Sequence, residues 1–168
     1  MDTTRGAGKN IRSNATNAEV DQQLNNINMT FLNNGYSFNT VHTALNKNAA
    51  TYASWNFQTT HRISGVTNHG KPYTCHYNPY TGFTIVKYEG SGIAGHKIPH
   101  HLGRKLEFAI NKQLNGTAPW LISSDLAFDL FFNTAAQEAG SNRATLTDKY
   151  LIDVGVSTSL NLSNGQIS

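Results

Sequence analysis

Seven histidines in a chain of 168 residues are the first side chains to test for chemistry. His61, His69 and His76 fall between residues 58 and 81, His96, His100 and His101 surround a glycine-rich stretch, and His42 stands alone. A histidine acting as general acid or base needs a nucleophile or carboxylate within hydrogen-bond reach. The carboxylates (Asp2, Glu19, Asp21, Glu89, Glu107, Asp125, Asp129, Glu138, Asp148, Asp153) have no spacing that pairs them with these rings. His100 and His101 on extended backbone would point to opposite faces, which makes them poor joint ligands for one ion. An ion on a threefold axis, taking one histidine from each of three chains, is the alternative to packing at turns and interfaces, and packing is the preferred reading. Gly90, Gly92 and Gly95 have dinucleotide-loop spacing after a strand, but Pro99 follows and no helical period does, so no dinucleotide is expected. Asp125 and Asp129 are a glycosidase pair only on paper, since nothing in their spacing sets a carboxyl separation. The expectation is no catalytic residue, no metal and no cofactor.

Tyr73, Tyr77 and Tyr80, with Asn78 and Thr81, are the better candidates for ligand binding. A tyrosine offers a rigid apolar face with a polar tip, and loops on a rigid scaffold carry recognition. These rings suit a surface glycan or a neighbouring protein. The competing reading is that they pack two halves of the chain together.

The elements that must position these residues are strands. Residues 82–88 (Gly-Phe-Thr-Ile-Val-Lys-Tyr) are rich in β-branched and aromatic side chains and are opened by a glycine. The glycines at 90, 92 and 95 end that strand, a short extended piece around Ile98 follows, and Gly103 closes the segment. Residues 51–57 (Thr-Tyr-Ala-Ser-Trp-Asn-Phe) alternate cleanly and predict another strand. Further strands are expected at 36–38, 106–112, 120–123, 126–132 and 150–154, with short ones at 9–13 and 145–146. Residues 20–34 have a spacing that allows one short helix, but the asparagines at 25, 26 and 28 favour loop and strand. Asn33-Asn34-Gly35, Asn46-Lys47-Asn48 and Asn115-Gly116-Thr117 are turn signals, and 58–81 reads as a connector with little alternation.

Composition agrees with an all-β chain. Charged residues are only 14% and hydrophobic ones 38%. Asn, Thr, Ser and Gly stand where the Lys and Glu of helix surfaces would be. Net charge is +3, with Arg104-Lys105 the only adjacent basic pair; nucleic-acid binding would need basic residues gathered on one face with stacking aromatics, so none is expected. The single cysteine, Cys75, excludes an intrachain disulfide and a Cys-x-x-Cys metal site and reads as a small strand or core residue. No apolar run reaches membrane-spanning length and the N-terminus has no apolar signal segment. A soluble chain made in a cytoplasm, without membrane insertion, is expected. Four sequons, at Asn14, Asn28, Asn115 and Asn161, are attributed to composition.

A weak internal repeat runs through the chain. Residues 11–19 can be laid on 130–138, 36–38 on 150–152, Leu45-Asn46 on Leu160-Asn161 and Tyr52-Ala53 on Ile167-Ser168. The two copies are out of phase, as in an array of modules. This divides the chain into the C-terminal part of a first β module (1–58), a connector (59–81) and a second module lacking its last strand (82–168). Incomplete modules have open edges, so strands shared or exchanged between halves or chains are expected, with residues 82–103 near an interface.

Gly82-Phe83-Thr84-Ile85-Val86-Lys87-Tyr88, Gly90-x-Gly92 and Ile98-Pro99-His100-His101-Leu102-Gly103 together resemble a domain family of unassigned activity in bacteriophage tail-fibre and other virion proteins. Asp2-Thr3-Thr4-Arg5-Gly6 resembles that family's Asp-x-x-Arg-Gly segment, and Tyr52-Ala53-Ser54-Trp55 its closing aromatic strand. The chain departs from the pattern at His101, where the family has Gly. The resemblance implies an antiparallel β-sandwich of the jelly-roll, concanavalin-A-like and laminin-G-like kind. It also implies a virion location, with assembly in a bacterial host cytoplasm, and a tail-fibre or spike role in host attachment. The partners expected are other virion proteins, copies of the same chain with a trimer favoured, and a host-surface glycan. The alternatives are a capsid decoration or head-fibre protein and a glycan-degrading fibre enzyme.

Overall fold

The computed structural model describes residues 1–13, 15–22, 29–39, 45–124, 145–146 and 150–152. The expected strand at 126–132 and the second copy of the repeat beyond residue 152 lie outside the described residues. Among the described residues there are twelve strands and no α-helix, and every pairing is antiparallel. The fold is all-β.

The largest sheet places β6 (Pro72–Asn78) between β5 (His61–Val66) and β7 (Phe83–Tyr88). Cys75 lies opposite Ile63 on one side and Val86 on the other. This corrects the connector reading of 58–81, because two of the three strands lie in it. The missing alternation has a physical cause. One face of β6 (Tyr73, Cys75, Tyr77) is packed by the segment around 98–102, and the other carries His76, which bonds to the N-terminal turn. A strand covered on both faces has no polar side to alternate with. The β6–β7 hairpin also spans the division expected at residues 81 and 82.

Smaller sheets surround this one. β1 (Lys9–Asn10) pairs with β2 (Val20–Asp21), and β3 (Met29–Leu32) forms a hairpin with β4 (Gly35–Phe38) across Asn33-Asn34. β8 (Lys97–Pro99) pairs with β12 (Tyr150–Ile152), which also pairs with β11 (Thr145–Leu146). β9 (Phe108–Asn111) pairs with β10 (Leu121–Ser124). Among the described residues the buried apolar side chains are Tyr73, Cys75, Ile98 and Leu102, with Val86, Leu106 and Ala109 packed on Ile98. The core therefore sits between β7, β8 and the start of β9.

The N-terminal turn shows why Asp2-x-x-Arg5-Gly6 has its spacing. The Asp2 carboxylate accepts from the backbone N–H groups of Thr4 and Arg5 and pairs with the Arg5 guanidinium, which also reaches Glu19 at 2.9 Å. Gly6 takes φ 114° and donates its N–H to the Asp2 carbonyl, a conformation costly for any residue with a Cβ. Thr3 then holds His76 at 2.9 Å, and Trp120 Nε1 donates to the Arg12 and Ala15 carbonyls.

One expected strand is absent. Residues 51–57 belong to no strand and are exposed throughout, with Trp55 81% and Phe57 68% accessible. Alternation predicts a strand only where a partner edge takes its backbone groups. No described strand does so here.

Candidate functional site

The candidate tyrosines are placed by β6 and the turn after it. Tyr73 and Tyr77, four residues apart on one strand, share a face. His101 lies against both, with ring centroids 5.8 Å from Tyr73 and 5.5 Å from Tyr77. The Tyr73 hydroxyl is 3.0 Å from His101 Nε2. His61, opposite Tyr77 across the β5–β6 ladder, extends the stack at 5.0 Å. The result is a continuous row of rings, His61–Tyr77–His101–Tyr73, closing one face of the sheet.

Two backbone features make room for the row. Tyr73 lies across Gly65 on β5, where an added Cβ would meet the ring at 3.1 to 3.3 Å. His101 has φ 58°, in the left-handed region, so the backbone is not extended there as expected for His100-His101. Glycine takes this conformation without strain, which accounts physically for a glycine at this place in the resembling family. Burial lowers the His101 pKa below the ordinary histidine range. The neutral ring can then accept the Tyr73 hydroxyl proton at Nε2.

Tyr80 lies apart from this row. The Asn78 side-chain oxygen accepts from the backbone N–H groups of Tyr80 at 3.0 Å and Thr81 at 3.3 Å, and Gly82 with φ 71° completes the turn. The Arg104 guanidinium donates to the Pro79 carbonyl and braces the same loop. The turn holds Tyr80 outward at 87% exposure. Of the three candidates, Tyr73 is therefore buried structure, Tyr77 is half-buried, and Tyr80 is the ring available to a ligand.

His69 and His96 serve contacts between segments. The two rings stack at 5.3 Å, and they bond to Ser91 and Thr67 at 3.0 and 2.7 Å. Together with Asn68, which bonds to Gly95 and Lys97, they dock the β5–β6 turn on the glycine-rich stretch. His76 is buried, and its pKa falls below the ordinary range through burial, with Arg62 adding to the effect. Burial raises the Cys75 thiol pKa, so this cysteine is not a thiolate nucleophile at neutral pH. Among the described residues no three or more His, Cys, Asp or Glu side chains gather where they could hold a metal ion.

A feature that periodicity could not reveal is a cleft of about 600 Å³ between β7 and the segment 104–111. Consecutive residues line both sides, 81–86 on one and 104–111 on the other. The cleft is bounded by β7 and the turn before it, by Ile98, His100 and Leu102, and by the segment that leads into β9. Ile85, Val86, Ile98 and Leu106 give it an apolar part and Arg104, Lys105 and Glu107 a charged one, and it is within the size range of sites that enclose a ligand.

Along its whole length, residues 1–168, the chain matches one family model, described as Domain of unknown function (DUF7483), and it belongs to that family. No curated protein matches it, and no solved structure does.

Proposed function

We propose that this chain is a structural protein of a bacteriophage virion, a tail-fibre or spike component that works by assembly and by contact with the host surface. The observation that carries the reading is the set of large aromatic side chains held outward on a β framework. Trp55 and Phe57 are exposed on one segment, and Tyr80 is fixed at the tip of a braced turn. Isolated exposed apolar side chains are ordinary, but aromatic rings presented on fixed backbone are the usual anchors of protein and sugar contacts. The resemblance of residues 82–103 and 2–6 to virion domains supports the same reading, and the jelly-roll, concanavalin-A-like sandwich belongs to the proposal. The chemistry is recognition: Tyr80 supplies a stacking face for a sugar ring, with Asn78 and Thr81 beside it.

The test has two parts. Immunogold labelling and mass spectrometry of intact particles should place the chain on the tail. A position on the head supports the capsid-decoration alternative and sinks the tail role. The purified chain should bind host surface glycans, and Tyr80→Ala should lower that binding about tenfold while leaving the circular dichroism unchanged. Tyr77→Ala tests the half-buried neighbour. Turnover of the glycan by the purified chain would favour the fibre-enzyme reading.

A further inference from the structure

We infer that His76 is a proton-sensitive clasp: protonation of its ring at Nε2 releases the N-terminal turn, residues 2–6, from the β5–β6–β7 sheet. His76 lies within β6, opposite Arg62 on β5 and Ile85 on β7, and its side chain is buried. Nδ1 is 2.9 Å from the Thr3 hydroxyl, in the turn closed by Asp2 and Gly6. Nε2 is buried and has no hydrogen-bond partner among the described residues. The Thr4 hydroxyl beside Thr3 is likewise buried and unbonded, so it does not serve the ring.

These contacts select where the neutral ring keeps its proton. A neutral imidazole has one N–H, and its other nitrogen can only accept. With the proton on Nδ1 the ring donates to Thr3 and has no unpaired N–H. With the proton on Nε2 a buried donor would lack an acceptor, which costs the full desolvation of that group. A second proton must go to Nε2. The ring then carries a buried charge on an N–H with no acceptor among the described residues.

The turn is the part that yields. β6 is the central strand, in register with β5 and with β7 over six residue pairs on each side, so the backbone at His76 is fixed. The turn's other ties run to β2 and the residue before it. Arg5 pairs with Glu19, Lys9 with Asp21, and the Gly8 carbonyl accepts from the Gln22 N–H. Its tie to the sheet is the bond from Thr3 to His76. Lifting the turn lets water reach Nε2 while the bonds to β2 persist.

The surrounding charges favour release. Arg62 is directly across the ladder on β5, and Lys87 is one pair beyond Ile85 on the same face of β7. Asp2 attracts a charged ring, but its carboxylate is engaged by Arg5 and by two backbone N–H groups, and Arg5 is shared with Glu19. Burial and then Arg62 lower the His76 pKa, against Asp2. A ring whose pKa is lowered by folding keeps the clasp closed above the ordinary histidine value of about 6.5, and the clasp is lost as pH falls from there through the folded value. This device belongs to the fold and does not rest on the virion role.

The experiment is nuclear magnetic resonance of the full chain across a pH titration. It follows the His76 ring and the Overhauser contact between the side chains of residues 3 and 76. In the wild type the ring should titrate below about 6.5, and the contact should be lost along the same curve. In His76→Asn, whose amide stands near the place of Nδ1 and does not titrate, the contact should persist over that range. Thr3→Val, which keeps the size of the side chain but not the hydroxyl, should show a weakened contact already at neutral pH with unchanged circular dichroism. A wild-type contact that survives protonation of the ring overturns the inference. So does loss of the contact over the same range in His76→Asn, which would put the titrating group elsewhere. A Thr3→Val chain held as closely as the wild type would show that the hydroxyl is not the clasp.

Discussion

His101 shows how one residue holds opposing terms. A left-handed backbone costs a residue with a Cβ about 1–2 kcal/mol. Against that stand the Tyr73 hydrogen bond, about 1 kcal/mol net, and ring contacts with two tyrosines, about 0.5–1.5 kcal/mol each for a well-placed aromatic pair. The side-chain terms are the larger. His101→Gly should therefore destabilise the chain by about 1 kcal/mol although it relieves the backbone. His101→Ala loses the same contacts and keeps the strain, so it should cost about 1 kcal/mol more. Urea unfolding of the three chains should rank them wild type, glycine, alanine. A glycine variant more stable than wild type would show that the ring row contributes nothing. His76, on β6, also has its pKa lowered chiefly by burial, and the nearby Arg62 adds to the effect.

At the scale of the element, the sheet β5–β6–β7 depends on a glycine facing a tyrosine. An alanine at Gly65 would press its methyl on the Tyr73 ring at 3.1 to 3.3 Å. The ring is held by His101 and cannot swing away freely. Overpacking of this kind costs about 1–3 kcal/mol. Gly65→Ala should lower the urea midpoint accordingly, and adding Tyr73→Phe, which frees the ring from its hydrogen bond, should lessen the effect of the alanine. This pairing also marks what could be read from sequence. β7 was legible from its β-branched and aromatic run, and β4 from its alternation beside an asparagine turn. β6 was not, because period-2 patterning appears only where one face meets water, and both faces of β6 are covered. Residues 51–57 fail in the opposite way. Their pattern is that of a strand, but a strand needs a partner, and sequence alternation cannot supply one. Tyr73, Tyr77 and Tyr80 were legible as a group by type. Their separation into buried, half-buried and exposed follows from the hairpin, with 73 and 77 on the strand and 80 past its end.

For the whole molecule, the assembly with copies of the same chain that belongs to the proposed role is a matter of stability as well as of shape. If copies of the chain assemble in that way, part of each chain's folding energy comes from another copy, and stability must depend on concentration. Tenfold dilution changes the free energy of one association by about 1.4 kcal/mol. Shared between two chains, that is about 0.7 kcal/mol each. A domain of this length shifts its Tm by about 2–4 °C per kcal/mol, so each tenfold dilution should lower Tm by about 2 °C. Calorimetry over a hundredfold concentration range should show a drift of about 4 °C in the wild type. A wild-type Tm that stays constant over that range would mean that each chain is held by its own sheets alone.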